Sequence, residues 1–542
     1  MTWGTRGWHA AVRCALGAAA SAAIGCGSAV SVCGCFPYDC AEHVACGASE
    51  APETEVEPDA PGEPGAPADP EDIPCGGDPR DGAPKDGCGV FASSSLGDDA
   101  NPGTRALPVR TVRRAIELSR QGARRVYACA EIFPEAVEVP AGTQIWGGLD
   151  CAHGWAFIGD RAQATLAPAP DLIPLRIEGG AGTSVVADVL ARSADAAQPS
   201  GSSIAALVLP GATVTFLRSA LVAGNGAAGA PGAPGADGGE GAAAPGADGR
   251  SGGDACSADV VPGAPSVTTA CDDVDSIGGS GGDGAVSSGD DGRDGLPEPI
   301  SSSMEWGHAG QGQTSGADCT DGMQDLSGAH GAHGRGAVGR GGMITRAGWE
   351  GVHGTEGARG ISGQGGGGGG GTLGGVMYCG MSTATPKGGA SGGSGGGGGC
   401  GGNGGQGGGY GGASIALISL SAGVTLHDTK LSSANGGNGG DGGAGQIGGE
   451  GGSRGSGGAA RNGSLRGCDG GRGGQGGNGG HGGGGLGGPS IGIAYLLDPP
   501  ELLGTLALRI GEPGKGGAGG RPDMIELAGQ DGAVAEVLGF VQ

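Results

Sequence analysis

The chain has 542 residues, but 136 of them are glycine and only 3% are aromatic, so its length overstates the core it can bury. Glycine brings no side chain to pack and loses the most backbone entropy on ordering. A formal net charge of -26, with no run of Lys or Arg, excludes a phosphate-tracking surface and with it nucleic acid as a partner.

The amino terminus reads as an export signal over residues 1–25. Arg6 and Arg13 flank the start, and an apolar run from Ala15 to Gly25 has signal-peptide length, too short to span a bilayer comfortably. Ala23-Ile24-Gly25-Cys26 resembles a bacterial lipobox, in which the cysteine is acylated, although Ala23 stands where leucine is usual. Lipidation is therefore expected at Cys26; the competing reading is ordinary cleavage near Ala22–Gly25. The expected location is the cell envelope, as an outer-membrane or cell-surface lipoprotein held by its lipid anchor, or otherwise secretion.

Fourteen cysteines follow Cys26, an even number suited to seven bridges in an oxidising compartment. Cys129 and Cys151 are one solenoid coil apart, and Cys75 with Cys88 and Cys256 with Cys271 are local candidates. Cys33, Cys35, Cys40 and Cys46 form the densest group, but no histidine–cysteine spacing of a zinc site accompanies them, so no metal or other cofactor is expected. Residues 26–88 make a cysteine-containing tether whose Glu50–Pro74 part, rich in proline and acids, favours an extended, solvated linker.

Ordered structure is expected from about Gly89. Val90–Ser95 reads as a strand, and Gly97–Thr104 as a turn-rich loop. Thr111 then caps an amphipathic helix with apolar residues at Val112, Ala115, Ile116 and Leu118. Short strands follow at Arg125–Ala130, Ala136–Val139, Gln144–Trp146, Ala164–Leu166, Leu175–Ile177, Ser184–Leu190, Ala205–Leu209 and Val214–Leu217. Many short strands without intervening helices indicate a stacked all-β body.

One strand module recurs. Ser203-Ile204-Ala205 runs through Val214-Thr215-Phe216 to Leu221 and exits at Gly224-Asn225-Gly226. Ser414-Ile415-Ala416 runs through Val424-Thr425-Leu426 to Leu431 and exits at Asn435-Gly436-Gly437; a looser copy starts at Ser490-Ile491-Gly492 and passes Leu506-Ala507-Leu508. A unit that cannot bury its own apolar face must stack on a neighbour, so these distant segments are expected to be consecutive rungs. The resulting division is a β-body over 89–225, a glycine-rich insertion over 226–412, one coil over 413–435, a second insertion over 436–488 and terminal β coils over 489–542.

The residues Phe91-Ala92-Ser93, Gly97-Asp98-Asp99, Asn101-Pro102-Gly103-Thr104, Val126–Glu131 and Gly142–Gly148 resemble the entry of the right-handed parallel β-helix proteins related to pectate lyases, specifically the DUF1565-like group. The resemblance covers roughly 89–225 and implies a mainly β fold, a right-handed parallel β-helix closed by an amino-terminal capping helix and interrupted by long glycine-rich segments. In the insertions glycine falls on every third position, as from Gly226 to Gly241 and from Gly436 to Gly451. That period fits polyproline II, and the scarcity of proline in the later tracts argues against a collagen triple helix. Two readings stay open: polyproline II strands bundled within the chain, with glycine where strands approach, or a mobile brush.

Polysaccharide lyases on such folds use clustered carboxylates and a basic residue; Asp150, Asp160, Asp188, Asp195, Arg192 and Arg218 are the candidates here, without a coil-length repeat, and solvated surface charge is the plainer reading. Asp98 and Asp99 fit a turn better than a calcium site, and Asp441 completes only part of a calcium-binding repeat. His308, His330, His333 and His353 are scattered through glycine-rich sequence near Asp318 and Cys319. No catalytic residue is assigned. The function expected is that of an exported, non-enzymatic surface protein of structural or adhesion type that contacts extracellular glycan or matrix. The alternative is a polysaccharide-active enzyme, either lyase or hydrolase.

Overall fold

A computed structural model describes residues 72–73, 75–122, 125–235, 241–298, 306–324, 326–339, 342–380 and 385–541. Cys26 and the Cys33–Cys46 group lie outside them. The body is mainly β and is organised as long parallel ladders. The first ladder contains six strands, Val137–Val139, Leu175–Ile177, Ser203–Val208, Ser414–Leu420, Ser490–Leu496 and Val534–Phe540. A twelve-stranded sheet supplies two more ladders, joined because Gly423–Ser432 pairs with Thr213–Leu217 through its first half and with Ala220–Val222 through its second. Each circuit of the chain adds one rung to each ladder.

Strand residues alternate between core and surface. In Gly423–Ser432 the inward positions are Val424, Leu426, Thr429 and Leu431, and the three apolar ones join Val214, Phe216 and Leu221 of the preceding circuit in one cluster. The three sequence modules are consecutive rungs: Ser203 pairs with Ser414 and Ser414 with Ser490, while Val214 pairs with Val424. The leading serine has a definite task. Ser203 Oγ accepts from Gly224 N at 2.8 Å, Ser414 Oγ accepts from Ala434 N at 2.8 Å, and Ser414 donates to Gly224 O at 2.7 Å. A buried hydroxyl thus satisfies the backbone where each coil releases the chain into glycine. Val534–Phe540 adds a further rung beyond the three modules read from sequence.

Ser184–Leu190, expected as one strand, is two, Thr183–Ala187 and Val189–Arg192. Asp188 between them turns a corner with φ 56°, and Arg218, Asp428 and Gly504 turn the same corner in later circuits with φ of 48°, 49° and 65°. A left-handed backbone costs a non-glycine residue energy; here Asp188 is held by Arg218 of the next circuit, and Asp428 Oδ1 accepts from Thr505 N of the circuit after.

Helix α1, Val112–Ser119, packs Val112, Ala115 and Ile116 into the main core. Thr111 accepts from Arg114 N, while the Glu135 carboxylate, on another turn, accepts from Val112 N at 2.7 Å and Arg113 N at 3.1 Å. Burial pushes the Glu135 carboxyl above its usual range. Asp99 accepts from Arg110 N and Thr111 N, so this acidic turn is occupied with holding the helix start.

The glycine tracts form an ordered bundle of extended strands. Gly226, Gly229, Gly232 and Gly235 donate in turn to the carbonyls of Asn435, Asn438, Asp441 and Ala444, and Gly440 and Gly443 donate to Gly409 and Gln406. Packing is backbone against backbone. A Cβ on Gly229, Gly232 or Gly235 would run into the carbonyls of Gly409, Gln406 or Asn403, whereas Ala230, Pro231, Ala233 and Pro234 face solvent. The run Gly365–Gly371 is enclosed on three sides, so no position tolerates a side chain: Gly365, Gly368 and Gly371 abut Ile277, Ser280 and Asp283, Gly366 and Gly369 abut Gly471 and Cys468, and Gly367 and Gly370 abut His308 and Gln311. Each neighbour is met by every third residue, so three enclosing neighbours leave room for glycine alone.

Five disulfides join described residues. Cys75 is bonded to Cys88 and Cys129 to Cys151. The local pair Cys256 with Cys271 is not formed: Cys256 bonds Cys379 and Cys271 bonds Cys400, because the bundle brings strands distant in sequence side by side; Cys319 bonds Cys468.

Candidate functional site

The charged residues singled out in the sequence do not converge. Asp188 and Arg218 meet at one corner: Arg218 Nη2 lies 2.6 Å from Asp188 Oδ2 and Nε donates to Oδ1 at 3.0 Å, with Asp78 3.2 Å from Nη1. The Arg218 side chain is only 13% exposed and that of Asp188 3%, and burial pushes the Asp188 carboxyl up despite the facing guanidinium. The 30-residue separation of this pair equals the register offset between Thr183–Ala187 and Thr213–Leu217, a spacing that goes unnoticed until those two rungs are aligned. Asp195 sits elsewhere and accepts from Asn225 N at 2.7 Å, and Asp150 pairs with His153 at 2.9 Å. Asp441 Oδ1 accepts from Ala518 N. Among the described residues no group of three or more His, Cys, Asp or Glu is placed to hold a metal ion, and no helix is long and apolar enough to cross a membrane.

A concave feature lies between α1, the first ladder and the hairpin Met343–Thr345/Gly348–Glu350. A cavity of about 590 Å³ is lined by Arg113, Glu117 and Arg120 of the helix region, by Glu138 and Arg176 of adjacent rungs, and by Asp171. A smaller cavity of about 180 Å³ shares Asp171, Ile173 and Ala347 and extends to Gln198, Ser200 and Trp349. The hairpin is held down by apolar contact, with Ile344 and Trp349 packed against Ile204, Ile415 and Ile418.

Within this groove Arg113 Nη2 donates to Ala136 O at 3.0 Å, and Arg176 Nη2 donates to Arg346 O at 3.1 Å. Arg176 Nε is 4.0 Å from Glu138 and makes no hydrogen bond, although the atom is buried. Asp171, at φ 63°, turns its carboxylate onto Ala197 N at 2.9 Å and so builds the wall. The groove thus sets three guanidiniums beside three carboxylates, Glu117, Glu138 and Asp171, offering hydrogen-bond donors and acceptors together. None of Arg113, Arg120, Arg176, Glu138 or Asp171 stood out in the sequence, because Arg176 and Glu138 meet only through the rung pairing of Leu175–Ile177 with Val137–Val139.

Comparison with known protein families, with curated proteins and with solved structures finds no match for this chain. The five disulfides fit an oxidising environment.

Proposed function

We propose that this is an exported, non-enzymatic surface protein of structural or adhesion type. It is read as a right-handed parallel β-helix capped by α1, with its glycine tracts in polyproline II conformation packed as a second rigid layer. The observation that carries the reading is the continuity of the two parts. Gly224, Ala434 and their glycine successors leave the ladders through the serine column and enter the bundle, whose strands are stapled by Cys256–Cys379, Cys271–Cys400 and Cys319–Cys468. A body rigid in its backbone leaves outward side chains free to form a display surface. Acylation of Cys26 and the acidic tether would hold that body away from a membrane surface.

Glycan or matrix contact is assigned to the groove beside α1, where Arg113, Arg120 and Arg176 converge. The test is binding of the full mature chain to an array of acidic and neutral glycans, with cleavage products followed with and without calcium. Retention on acidic glycans, reduced about tenfold or more by Arg113→Ala with Arg176→Ala and without product, is expected. Calcium-dependent cleavage would favour the enzyme reading, and absence of glycan or matrix binding would remove the adhesive role.

A further inference from the structure

On the surface of the bundle a recurring rule governs amides that point sideways from a strand. Such an amide finds its acceptor on a side chain of the adjoining strand: Asn438 Oδ1 takes Lys515 N at 2.9 Å, Asp441 Oδ1 takes Ala518 N at 2.7 Å, and Asn478 Oδ1 takes Gly448 N at 3.0 Å. At three places the acceptor is a histidine. His330 Nδ1 takes Asn478 N at 2.9 Å, His333 Nδ1 takes His481 N at 3.0 Å, and His481 Nδ1 takes Gly445 N at 3.1 Å. The His333 and His481 rings are stacked with centroids 5.0 Å apart. Two parallel rows thus cross three strands, His330–Asn478–Gly448 and His333–His481–Gly445.

We propose that this histidine seam makes the attachment of the 328–337 strand acid-sensitive, because an imidazole accepts an amide only while neutral. An imidazolium is a donor at both nitrogens, and two stacked imidazoliums also repel. Asn and Asp at the equivalent positions keep an acceptor through the same pH range. The strand at stake supports the groove cover: Ala337 packs with Ile344 and Trp349 of the hairpin against the first ladder. The amides of Gly328, Gly331 and Gly334 still donate to backbone carbonyls of Gln475, Asn478 and His481, so acid loosens the seam without dissolving it.

The charged groups on the packed elements are Arg335 on the strand itself, Glu356 and Arg359 with His353 on the 352–364 strand, Arg472 on the 470–488 strand, Asp441 and Glu450 on the 436–452 strand, Glu512 and Lys515 on the 511–520 strand, Arg521 with Asp523 beyond it, and Glu526 and Asp531 on the 524–532 segment that packs on Ala337 and Gly484. Burial, with His333 and Arg521, holds the His481 imidazole below its usual value against the opposing pull of Asp523. The unfolded chain then binds the proton more readily than the folded one. Stability is full above the ordinary histidine value of about 6.5 and falls as pH drops through it, levelling off below the folded value.

The experiment is hydrogen exchange of the intact, oxidised chain at about pH 7.5 and about pH 5, corrected for intrinsic rates, comparing the native sequence with His330→Asn/His333→Asn/His481→Asn. Peptides covering 326–339 and 343–350 are expected to open about tenfold or more at acid pH in the native chain and to stay within about twofold in the triple variant. Equal pH dependence in the two chains, or none in either, would overturn the proposal. Imidazole titration by NMR in the unaltered chain gives a second reading that needs no variant: His481 titrating at or above its free value also defeats it.

Discussion

In the ladders, Phe216, Leu426 and Leu431 fill the interior with side chains and the backbone stays at strand spacing, whereas across Gly365–Gly371 the interior is backbone alone. The first region tolerates losing a methyl group better than misplacing a charge. The second tolerates almost any outward residue but not one inward methyl. Burial in one is apolar area removed from water; in the other it is close packing and satisfied amides, with hardly any apolar side chain present.

Substitutions matched across the two regions sharpen that contrast. The largest effect is expected at the corner of the ladders, where Arg218→Met strands the buried Asp188 carboxylate and lowers stability by about 3–5 kcal/mol, with much of the loss recovered when Asp188→Ala is added. Next comes Gly368→Ala in the bundle: its new methyl meets the Ser280 carbonyl, with a cost of about 3 kcal/mol in chemical denaturation, whereas Ala230→Ser on the exposed edge stays within about 0.5 kcal/mol. Ile415→Val, removing one methyl from a fully buried ladder residue, is expected to cost only about 0.5–1.5 kcal/mol. An Ile415→Val loss exceeding that of Gly368→Ala would break the comparison.

The smallest effect is a pH dependence confined to the ladder entry. Glu131 is partly buried, which pushes its carboxyl up, but hydrogen bonds from Ser95, Ser94 and Ser93 outweigh this and hold it below the usual range. A depressed acid contributes stability above the unfolded value, about 4.3, and loses it as pH falls through the folded value. Glu131→Gln should therefore lower stability modestly at neutral pH and remove the further loss that the native chain suffers as pH falls below about 4.3, so that the two chains converge in acid. An unchanged acid limb would show that the serine cradle contributes nothing.

The glycine tracts show how differently the two regions could be read in advance. Period-three glycine allowed a bundle or a brush, since one strand cannot reveal how many neighbours it has. Seven consecutive glycines carry meaning only once strands at 277–283, 308–311 and 468–471 surround them. The groove arginines were equally hidden, being ordinary surface residues until α1 and two rungs come together.

By itself the sequence determined the rungs, because Ser203, Ser414 and Ser490 begin the same alternation of inward and outward residues and unburied apolar faces must stack. It also determined the capped helix at Thr111, since a cap is a local interaction within one turn. Tertiary structure alone decided the partners of Cys256 and Cys271, the corner pairing of Asp188 with Arg218 and the histidine seam. Each of those depends on which strands lie side by side, and that is set by the summed packing of backbone against backbone, which no single stretch of residues records.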